Sequence, residues 1–199
     1  MAEGKIDQSA RQRDTDSIVT AARALFAERG PARVSLREVA REAGVNYGLI
    51  HQYVGSKEAL LRLVFTRSSA GWADAFSDAD RLEDAIGLLL RPKSDTYVRM
   101  LAHLILEGRN PAELEDDTPA LQALTRRLES ELVPSAPVLP DPRIQAAVIT
   151  GISMGWGLFG PYLRMLAGLT DLSQDELDRR VYDYVRQVFT ERIEAAVTD

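Results

Sequence analysis

Cysteine and histidine, the residues of thiolate metal sites and of His-based catalytic sites, are scarce in this chain of 199 residues. The chain contains no Cys and only two His, His51 and His103. The absence of Cys excludes thiolate zinc sites, iron–sulfur clusters and cysteine nucleophiles. The sequence also shows no nucleophile–base pair, no metal-ligand spacing and no glycine-rich phosphate loop. It therefore predicts a binding protein without catalytic residues, metal or cofactor.

Hydrogen-bonding side chains are concentrated instead on one short predicted helix. Its outward side chains include Asn46, Tyr47, His51 and Gln52. An α-helix fits the major groove of DNA, where each base pair presents a distinct pattern of donors and acceptors. Gln52 could pair with N6 and N7 of adenine, and Tyr47 could reach a phosphate or a thymine methyl group. Gly48 would let the backbone approach the duplex closely.

Four flanking residues suit contacts to phosphate groups: Ser35, Arg37, Tyr53 and Lys57. Lys57 begins a predicted helix, whose N-terminal amides and dipole already favour an anion. Less specific interpretations stay open. Lys57 can equally be solvated, and the Tyr53 ring can pack while its hydroxyl touches phosphate. His51 can pack against neighbouring helices instead of contacting DNA.

Two short helices joined by a tight turn must position these groups. Ser35 and Glu38 have the spacing of a capping box at the start of the first helix. Gly44 suits the positive φ of the turn, and Asn46 can cap the second helix. The residues expected to be buried are Val39, Ala40, Ala43, Val45, Ile50 and Tyr53. The pattern predicts a helix-turn-helix over residues 36–55.

Helix signals also dominate the rest of the chain. Pro119 and Pro142 each follow a residue suited to cap a helix, and proline is favoured at the first helical position. Residues 173–176 repeat the pattern of a capping box. Residues 133–141 contain three prolines, too many for regular structure. We find no strand pattern and no internal repeat, so the predicted fold is all-α with about nine helices.

The charge of the chain is unevenly distributed. The net charge of −6 argues, taken alone, against a nucleic-acid partner. Residues 1–67, however, carry 11 Lys and Arg against 8 Asp and Glu, a net charge of +3. Residues 68–199 carry 13 against 22, a net charge of −9. A basic front and an acidic remainder indicate two parts with different partners.

The segment 18–61 resembles the DNA-binding domain of the TetR family of bacterial transcriptional regulators. The resemblance rests on residues 21–30, 34–40, 43–45 and 55–61. It implies a three-helix DNA-binding head, a helical body that binds a small-molecule inducer, and a homodimer formed through the last two helices. This chain has Tyr47, His51 and Val54 where the family usually has Lys, Tyr and Phe, respectively.

On this basis we expect three segments. Residues 1–13 would form a flexible arm, residues 14–67 the DNA-binding domain, and residues 68–199 the ligand-binding and dimerisation domain. The expected function is a ligand-responsive regulator, with repression favoured, that binds a near-palindromic operator as a dimer and is released by a small hydrophobic effector. The alternatives are a protein–protein adaptor or a small-molecule-binding helical protein that keeps the helix-turn-helix as a scaffold, and an enzyme acting on a hydrophobic substrate.

Candidate effector contacts come from aromatic, Met and His residues of the expected body, although ordinary core packing is the alternative for each. They are Trp72, Phe76, Tyr97, Met100, His103, Met154, Trp156, Phe159 and Tyr162. His103 lies on a largely apolar helix, as a satisfied core histidine or as a donor to an inducer. Gly151, Gly155 and Gly157 on one helix indicate a close approach of a partner helix or a ligand, since each glycine costs about 1 kcal/mol relative to alanine.

No membrane segment or signal peptide is expected. The longest apolar region, residues 144–169, is interrupted by glycines, Pro161 and Arg164, and we interpret it as a buried helix. The N-terminus lacks the apolar core of a signal peptide. The expected location is the cytoplasm.

Overall fold

A computed structural model describes residues 2–89, 95–114, 117–131 and 141–198, and these residues form nine α-helices without a strand. The helices are α1 (Ala2–Arg29), α2 (Leu36–Ala43), α3 (Tyr47–Tyr53), α4 (Lys57–Asp78), α5 (Leu82–Leu89), α6 (Asp95–Leu106), α7 (Pro119–Glu131), α8 (Pro142–Leu166) and α9 (Gln174–Thr198). Short 3₁₀ turns occupy Pro31–Arg33 and Pro111–Glu113. The predicted all-α fold with about nine helices is confirmed. Most of the proline-rich segment 133–141 lies outside the described residues.

The first helix differs from the flexible arm expected for residues 1–13, because α1 already begins at Ala2. No Gly or Pro follows Gly4 until the helix ends, so nothing in the sequence interrupts it. Side chains one turn apart also support the helix, since Gln12 Nε2 donates to Asp16 Oδ1 at 2.9 Å. The polar N-terminal segment is therefore helical and is continuous with the apolar part of α1 that follows it.

The helix-turn-helix is bounded by the caps that the sequence predicts. The Ser35 hydroxyl accepts from the Glu38 N–H at 3.3 Å, and Glu38 Oε2 accepts from the Ser35 N–H at 2.8 Å. Gly44 ends α2 with φ of +67°, a left-handed conformation that favours glycine. Asn46 caps α3 through its side chain. The predicted capping box, left-handed glycine and asparagine cap are all confirmed.

The first of two compact units comprises Met1–Ser68 and Thr96–Asp117. Its largest fully buried side chains are Ile18, Phe26, Ile50, Leu60, Leu61, Phe65, Met100 and Leu104. Two of these come from α6, which is expected from the sequence to belong to the C-terminal body. The structure differs here, because α6 buries Met100 and Leu104 in the same core as the helix-turn-helix.

The second compact unit comprises Ser69–Asp95 and Thr118–Asp199. Its fully buried side chains include Ile86, Leu124, Leu128 and Ile149. α5 and α9 meet where the Tyr182 ring packs against Gly87, and the Tyr182 hydroxyl donates to the Glu83 carbonyl at 3.4 Å. A Cβ at residue 87 would lie 3.0 Å from the Tyr182 ring, so any larger residue there would have to displace the ring, and the close approach favours a glycine.

The long helix α8 has apolar residues on two opposite sides. One side buries Ala146, Ile149 and Ser153 in the second unit. The other side is exposed and carries Ile144, Val148, Ile152, Leu158, Phe159, Tyr162, Leu163, Met165 and Leu166. We call these nine residues the α8 stripe. The prediction that residues 144–169 form a buried helix is wrong for this outward side.

By length and composition alone, α8 is also apolar enough to cross a membrane, a criterion that core helices of soluble proteins meet as well. Its inward side includes polar groups with partners in the fold. The Ser153 hydroxyl donates to the Leu89 carbonyl, and Gln145 is buried. These contacts identify α8 as a helix packed within the second unit.

Candidate nucleic-acid interface

The short helix α3 presents a row of polar side chains to solvent. Asn46, Tyr47, His51 and Gln52 are exposed, whereas Ile50 is fully buried in the core of the first unit. The buried isoleucine fixes the rotation of the helix about its axis, because its side chain must stay on the inner side. The structure therefore places the predicted base-contact residues on the outer surface of α3.

Three side chains form a contiguous cluster at the start of this surface. The rings of Tyr47 and His51 meet edge to face, with centroids 4.9 Å apart and an interplanar angle of 88°. The Tyr47 hydroxyl lies 2.9 Å from His51 Nε2, within hydrogen-bond distance. The Arg37 guanidinium carbon of α2 lies 5.5 Å from the centroid of the Tyr47 ring, a cation–π contact. We call Arg37, Tyr47 and His51 the Tyr47 cluster.

Gly48 lies in the first turn of α3, directly against the helix cap. Its N–H donates to Asn46 Oδ1 at 2.9 Å. A Cβ at residue 48 would lie 3.3 Å from the same oxygen, closer than an ordinary van der Waals contact. A glycine at this position therefore avoids crowding the Asn46 oxygen that caps the helix. It also leaves the backbone of the first turn uncovered by a side chain.

Two of the predicted phosphate contacts are held by hydrogen bonds at helix N-termini. The Ser35 hydroxyl donates to Glu38 Oε2 at 2.8 Å, and Arg29 Nη1 donates to Glu38 Oε1 at 2.9 Å. Lys57 begins α4, and its ammonium donates to the Ala32 carbonyl at 3.2 Å. These contacts fix the positions of the Ser35 and Lys57 side chains.

The capping box predicts an acid-dependent contribution to stability. Hydrogen bonds from the Ser35 backbone and hydroxyl, followed by the hydrogen bond from Arg29, lower the pKa of Glu38 from 4.5 to about 2. A lowered pKa stabilises the fold above the unfolded-state value and loses that contribution as the pH falls towards the folded-state value. We expect Glu38→Gln to flatten the decline of the urea-unfolding midpoint between about pH 4.5 and pH 2. An unchanged decline in the variant would contradict the assignment.

Tyr53 is half-buried at the end of α3 and has a basic partner that is not predicted from the sequence. The Arg11 guanidinium carbon lies 5.3 Å from the centroid of the Tyr53 ring. Arg11 belongs to the segment expected to be a flexible arm, whereas the structure places it on α1. The absence of helix breakers around Arg11 and Arg13 is the signal that could have placed it. Arg11 adds a positive charge beside a predicted phosphate contact.

The nine predicted effector contacts do not form one group. Tyr97, Met100 and His103 lie in the first unit, where Met100 is fully buried and the Tyr97 ring centroid lies 5.6 Å from that of Phe65. His103 is half-buried, and its Nδ1 would lie 3.1 Å from a Cβ at Gly30. These three residues contribute to the packing of the first unit.

The other six predicted effector contacts belong to the second unit: Trp72, Phe76, Met154, Trp156, Phe159 and Tyr162. Phe76 is buried, and Phe159 and Tyr162 are exposed on the α8 stripe. The remaining three are half-buried. Trp156 is oriented by a hydrogen bond from its Nε1 to Asp178 Oδ1 at 2.9 Å, which joins α8 to α9.

Comparison with known proteins agrees with this geometry. Residues 18–64 match a family model described as bacterial regulatory proteins, tetR family. The chain is 31% identical over 185 residues to the HTH-type transcriptional repressor Rv3405c of Mycobacterium tuberculosis, covering 89% of this chain and 90% of the relative.

Solved structures share the fold. A transcriptional regulator of Streptomyces coelicolor, SCO7518, aligns with a TM-score of 0.55 and 26% identity over 73% of this chain and 88% of that one. Salmonella enterica GusR aligns with a TM-score of 0.65 and 18% identity over 91% and 95%. The chain belongs to the TetR family of bacterial regulatory proteins, and it is a DNA-binding transcriptional regulator of that family.

Proposed function

We propose that this regulator is a repressor that binds a near-palindromic operator as a homodimer and dissociates when a small hydrophobic effector binds. The observation that carries the DNA-binding part is the exposed polar row of α3, held in place by the buried Ile50 and by the caps on α2 and α3. Repression is supported by the relative from Mycobacterium tuberculosis, which is a transcriptional repressor.

The proposed contacts divide into base and phosphate contacts. Base edges in the major groove would be read by Asn46, Tyr47, His51 and Gln52, with the backbone at Gly48 close to the duplex. Phosphates would be bound by Ser35, Arg37, Tyr53 and Lys57. The exposure of the first group and the position of Ser35 and Lys57 at helix N-termini support this division.

The α8 stripe supports the proposed dimer. Nine exposed apolar residues follow one side of this helix, and large apolar patches of this kind mark interaction surfaces. Gly151 and Gly155 lie among them, and a Cβ at either position would meet nothing within 4 Å. We infer that α8 and α9 of a second copy cover the stripe, with the glycines permitting close approach. A symmetric dimer would then place two α3 helices in major grooves about 34–36 Å apart.

The proposed domain division assigns residues 14–67 to DNA binding and residues 68–199 to effector binding and dimerisation, with α6 packed in the first unit. The half-buried Trp72, Met154 and Trp156 are the effector contacts that we carry forward, because partial exposure leaves room for a ligand. An effector releases the operator only if it binds more tightly to a conformation in which the two heads no longer fit the DNA.

Operator binding is tested by fluorescence anisotropy with labelled DNA from upstream of the protein's own gene. We expect a dissociation constant of about 10⁻⁸ to 10⁻¹¹ M and strong discrimination against unrelated DNA that persists as the salt concentration rises. Failure to bind this DNA, or any fragment in a genome-wide capture, would refute the proposal. Weak binding independent of sequence would favour an adaptor.

Two substitutions separate base contacts from phosphate contacts. We expect Gln52→Ala to lose about 1–3 kcal/mol of operator affinity per contact and to relax the base preference at one position of each half-site. Lys57→Gln should weaken binding to all sequences alike. It should also reduce the slope of the logarithm of the binding constant against the logarithm of the salt concentration by about one per contact. Anisotropy titrations over a salt series measure both effects. Gln122→Ala, an exposed glutamine on α7, is the control and should leave binding unchanged.

A further inference from the structure

We propose that His51 is a positioning residue that sets whether the Tyr47 hydroxyl donates or accepts a hydrogen bond towards DNA, so that the base preferred opposite Tyr47 changes with the protonation of His51. This inference rests on the proposed operator binding and deepens it, since it assigns a regulated specificity to the Tyr47 cluster. Its basis is the 2.9 Å contact between the Tyr47 hydroxyl and His51 Nε2 on the outer surface of α3.

The cluster holds the Tyr47 side chain through two contacts, one to its hydroxyl and one to its ring. His51 follows Tyr47 by one helical turn, so the two side chains share a face of α3. Its ring stands edge-on to that of Tyr47, while the Arg37 guanidinium from α2 lies over the Tyr47 ring at 5.5 Å. The hydroxyl is therefore placed before DNA arrives, which lowers the entropy cost of using it in recognition.

Neutral and protonated His51 leave different groups of Tyr47 available to DNA. A phenol is a better proton donor than a neutral imidazole N–H, and an imidazole nitrogen is a better acceptor than a phenol oxygen. Neutral His51 therefore accepts a hydrogen bond from the Tyr47 hydroxyl at Nε2. Only the lone pairs of the Tyr47 oxygen are then available to the duplex. Those lone pairs accept from the amino groups of adenine or cytosine.

Protonated His51 reverses this polarity. Both imidazole nitrogens are then donors, so Nε2–H donates to the Tyr47 oxygen. The phenol proton turns outward and can be donated to O6 or N7 of guanine, to O4 of thymine or to a phosphate. One tyrosine would thus favour amino-bearing bases at higher pH and acceptor-bearing bases at lower pH.

The charged groups around the cluster determine the direction of the pH effect. The Tyr47 hydroxyl faces His51 from α3, the Arg37 guanidinium lies over Tyr47 from α2, and Arg11 of α1 lies over the adjacent Tyr53. DNA phosphates attract positive charge on this surface in the complex. Histidine ordinarily changes charge between about pH 5 and pH 8, so operator affinity should rise as the pH falls through this range.

The test is a selection from an operator library randomised across one half-site, sequenced after binding at about pH 6 and at about pH 8. The full-length wild type should exchange its preference at one position from adenine or cytosine to guanine or thymine, with a change of about fivefold in relative affinity. His51→Gln keeps a side chain that donates and accepts but does not titrate, so its preference should be the same at both values. Tyr47→Phe should lose the preference at that position and nowhere else.

His103→Gln is the matched control, because His103 is the only other histidine in the chain. This variant should keep the wild-type exchange, and that comparison decides the outcome even if His51→Gln binds no DNA. A wild type that binds with the same preference at both values overturns the inference and leaves the proposed function intact. A pH-dependent exchange that survives in His51→Gln, or that disappears in His103→Gln, also overturns it. A wild type that selects no sequence at either value refutes the proposed function itself.

Discussion

Replacing Phe159 with glutamate is expected to convert the proposed dimer into monomers and to weaken operator binding by about 10²- to 10⁴-fold. Phe159 is 54% exposed within the α8 stripe, so the substitution leaves no cavity in the second unit. In a dimer it would place an unpaired charge in an apolar interface, which is strongly unfavourable. Two linked heads also bind a palindrome far more tightly than one, and this gain disappears in a monomer. Sedimentation velocity and anisotropy measure the two effects.

The control for this substitution is Leu106→Glu. Leu106 is 84% exposed and apolar, but it lies on α6 in the first unit, outside the α8 stripe. The control variant should remain dimeric and bind the operator normally. If Phe159→Glu stays dimeric at concentrations where the wild type is dimeric, α8 is not the dimer interface.

Truncating Phe26 to alanine is expected to destabilise the first unit by about 3–5 kcal/mol and to weaken operator binding near physiological temperature. Phe26 is fully buried in the core that also contains Ile50, the residue that anchors α3. The substitution removes apolar contacts and leaves a cavity in a tightly packed core. A domain typically has a free energy of unfolding of only about 5–15 kcal/mol, so this loss lowers the fraction of molecules with a folded head. Urea unfolding followed by far-ultraviolet circular dichroism gives the change in free energy.

Arg23→Ala on the same helix provides the comparison. Arg23 is exposed, and alanine favours a helix at least as well, so its effect should stay within about 0.5 kcal/mol. A loss below about 1 kcal/mol for Phe26→Ala would show that the core collapses around the gap or that the head is held by other contacts.

The parts of the fold that sequence predicts well are those determined by neighbouring residues. Ser35 and Glu38 form the capping box, Gly44 adopts the left-handed conformation, and Asn46 caps α3. In each case the hydrogen bond or the dihedral angle involves residues only a few positions apart. Residue identity and spacing therefore suffice to predict the boundaries of α2 and α3, and with them the outward orientation of the candidate site.

Features that depend on distant parts of the chain were not predictable in the same way. α6 has an apolar side that suits any core, and the sequence does not indicate that Met100 and Leu104 pack with the first unit. α8 is apolar on two sides, and hydropathy cannot separate the side buried within the chain from the α8 stripe. Both outcomes depend on which helices are adjacent in space.

The candidate site shows the same difference between local contacts and contacts between distant parts of the chain. The spacing of Tyr47 and His51 is visible in the sequence, and the i,i+4 relation alone places them side by side on a helix. The contact of Arg37 with Tyr47 requires the packing of α2 against α3, and that of Arg11 with Tyr53 requires a helix where a flexible arm was expected. The residues of the site could therefore be predicted from the sequence, whereas the contacts between its helices could not.

The division into two units has a practical consequence for handling the protein. Both tryptophans of the chain, Trp72 and Trp156, belong to the second unit, and the sequence of the first unit contains none. Intrinsic tryptophan emission thus samples the second unit directly and registers the DNA-binding head only when the two unfold together. A melting curve followed by tryptophan emission would therefore look normal for a preparation whose DNA-binding heads are already unfolded. DNA binding itself supplies the missing measure of sample quality.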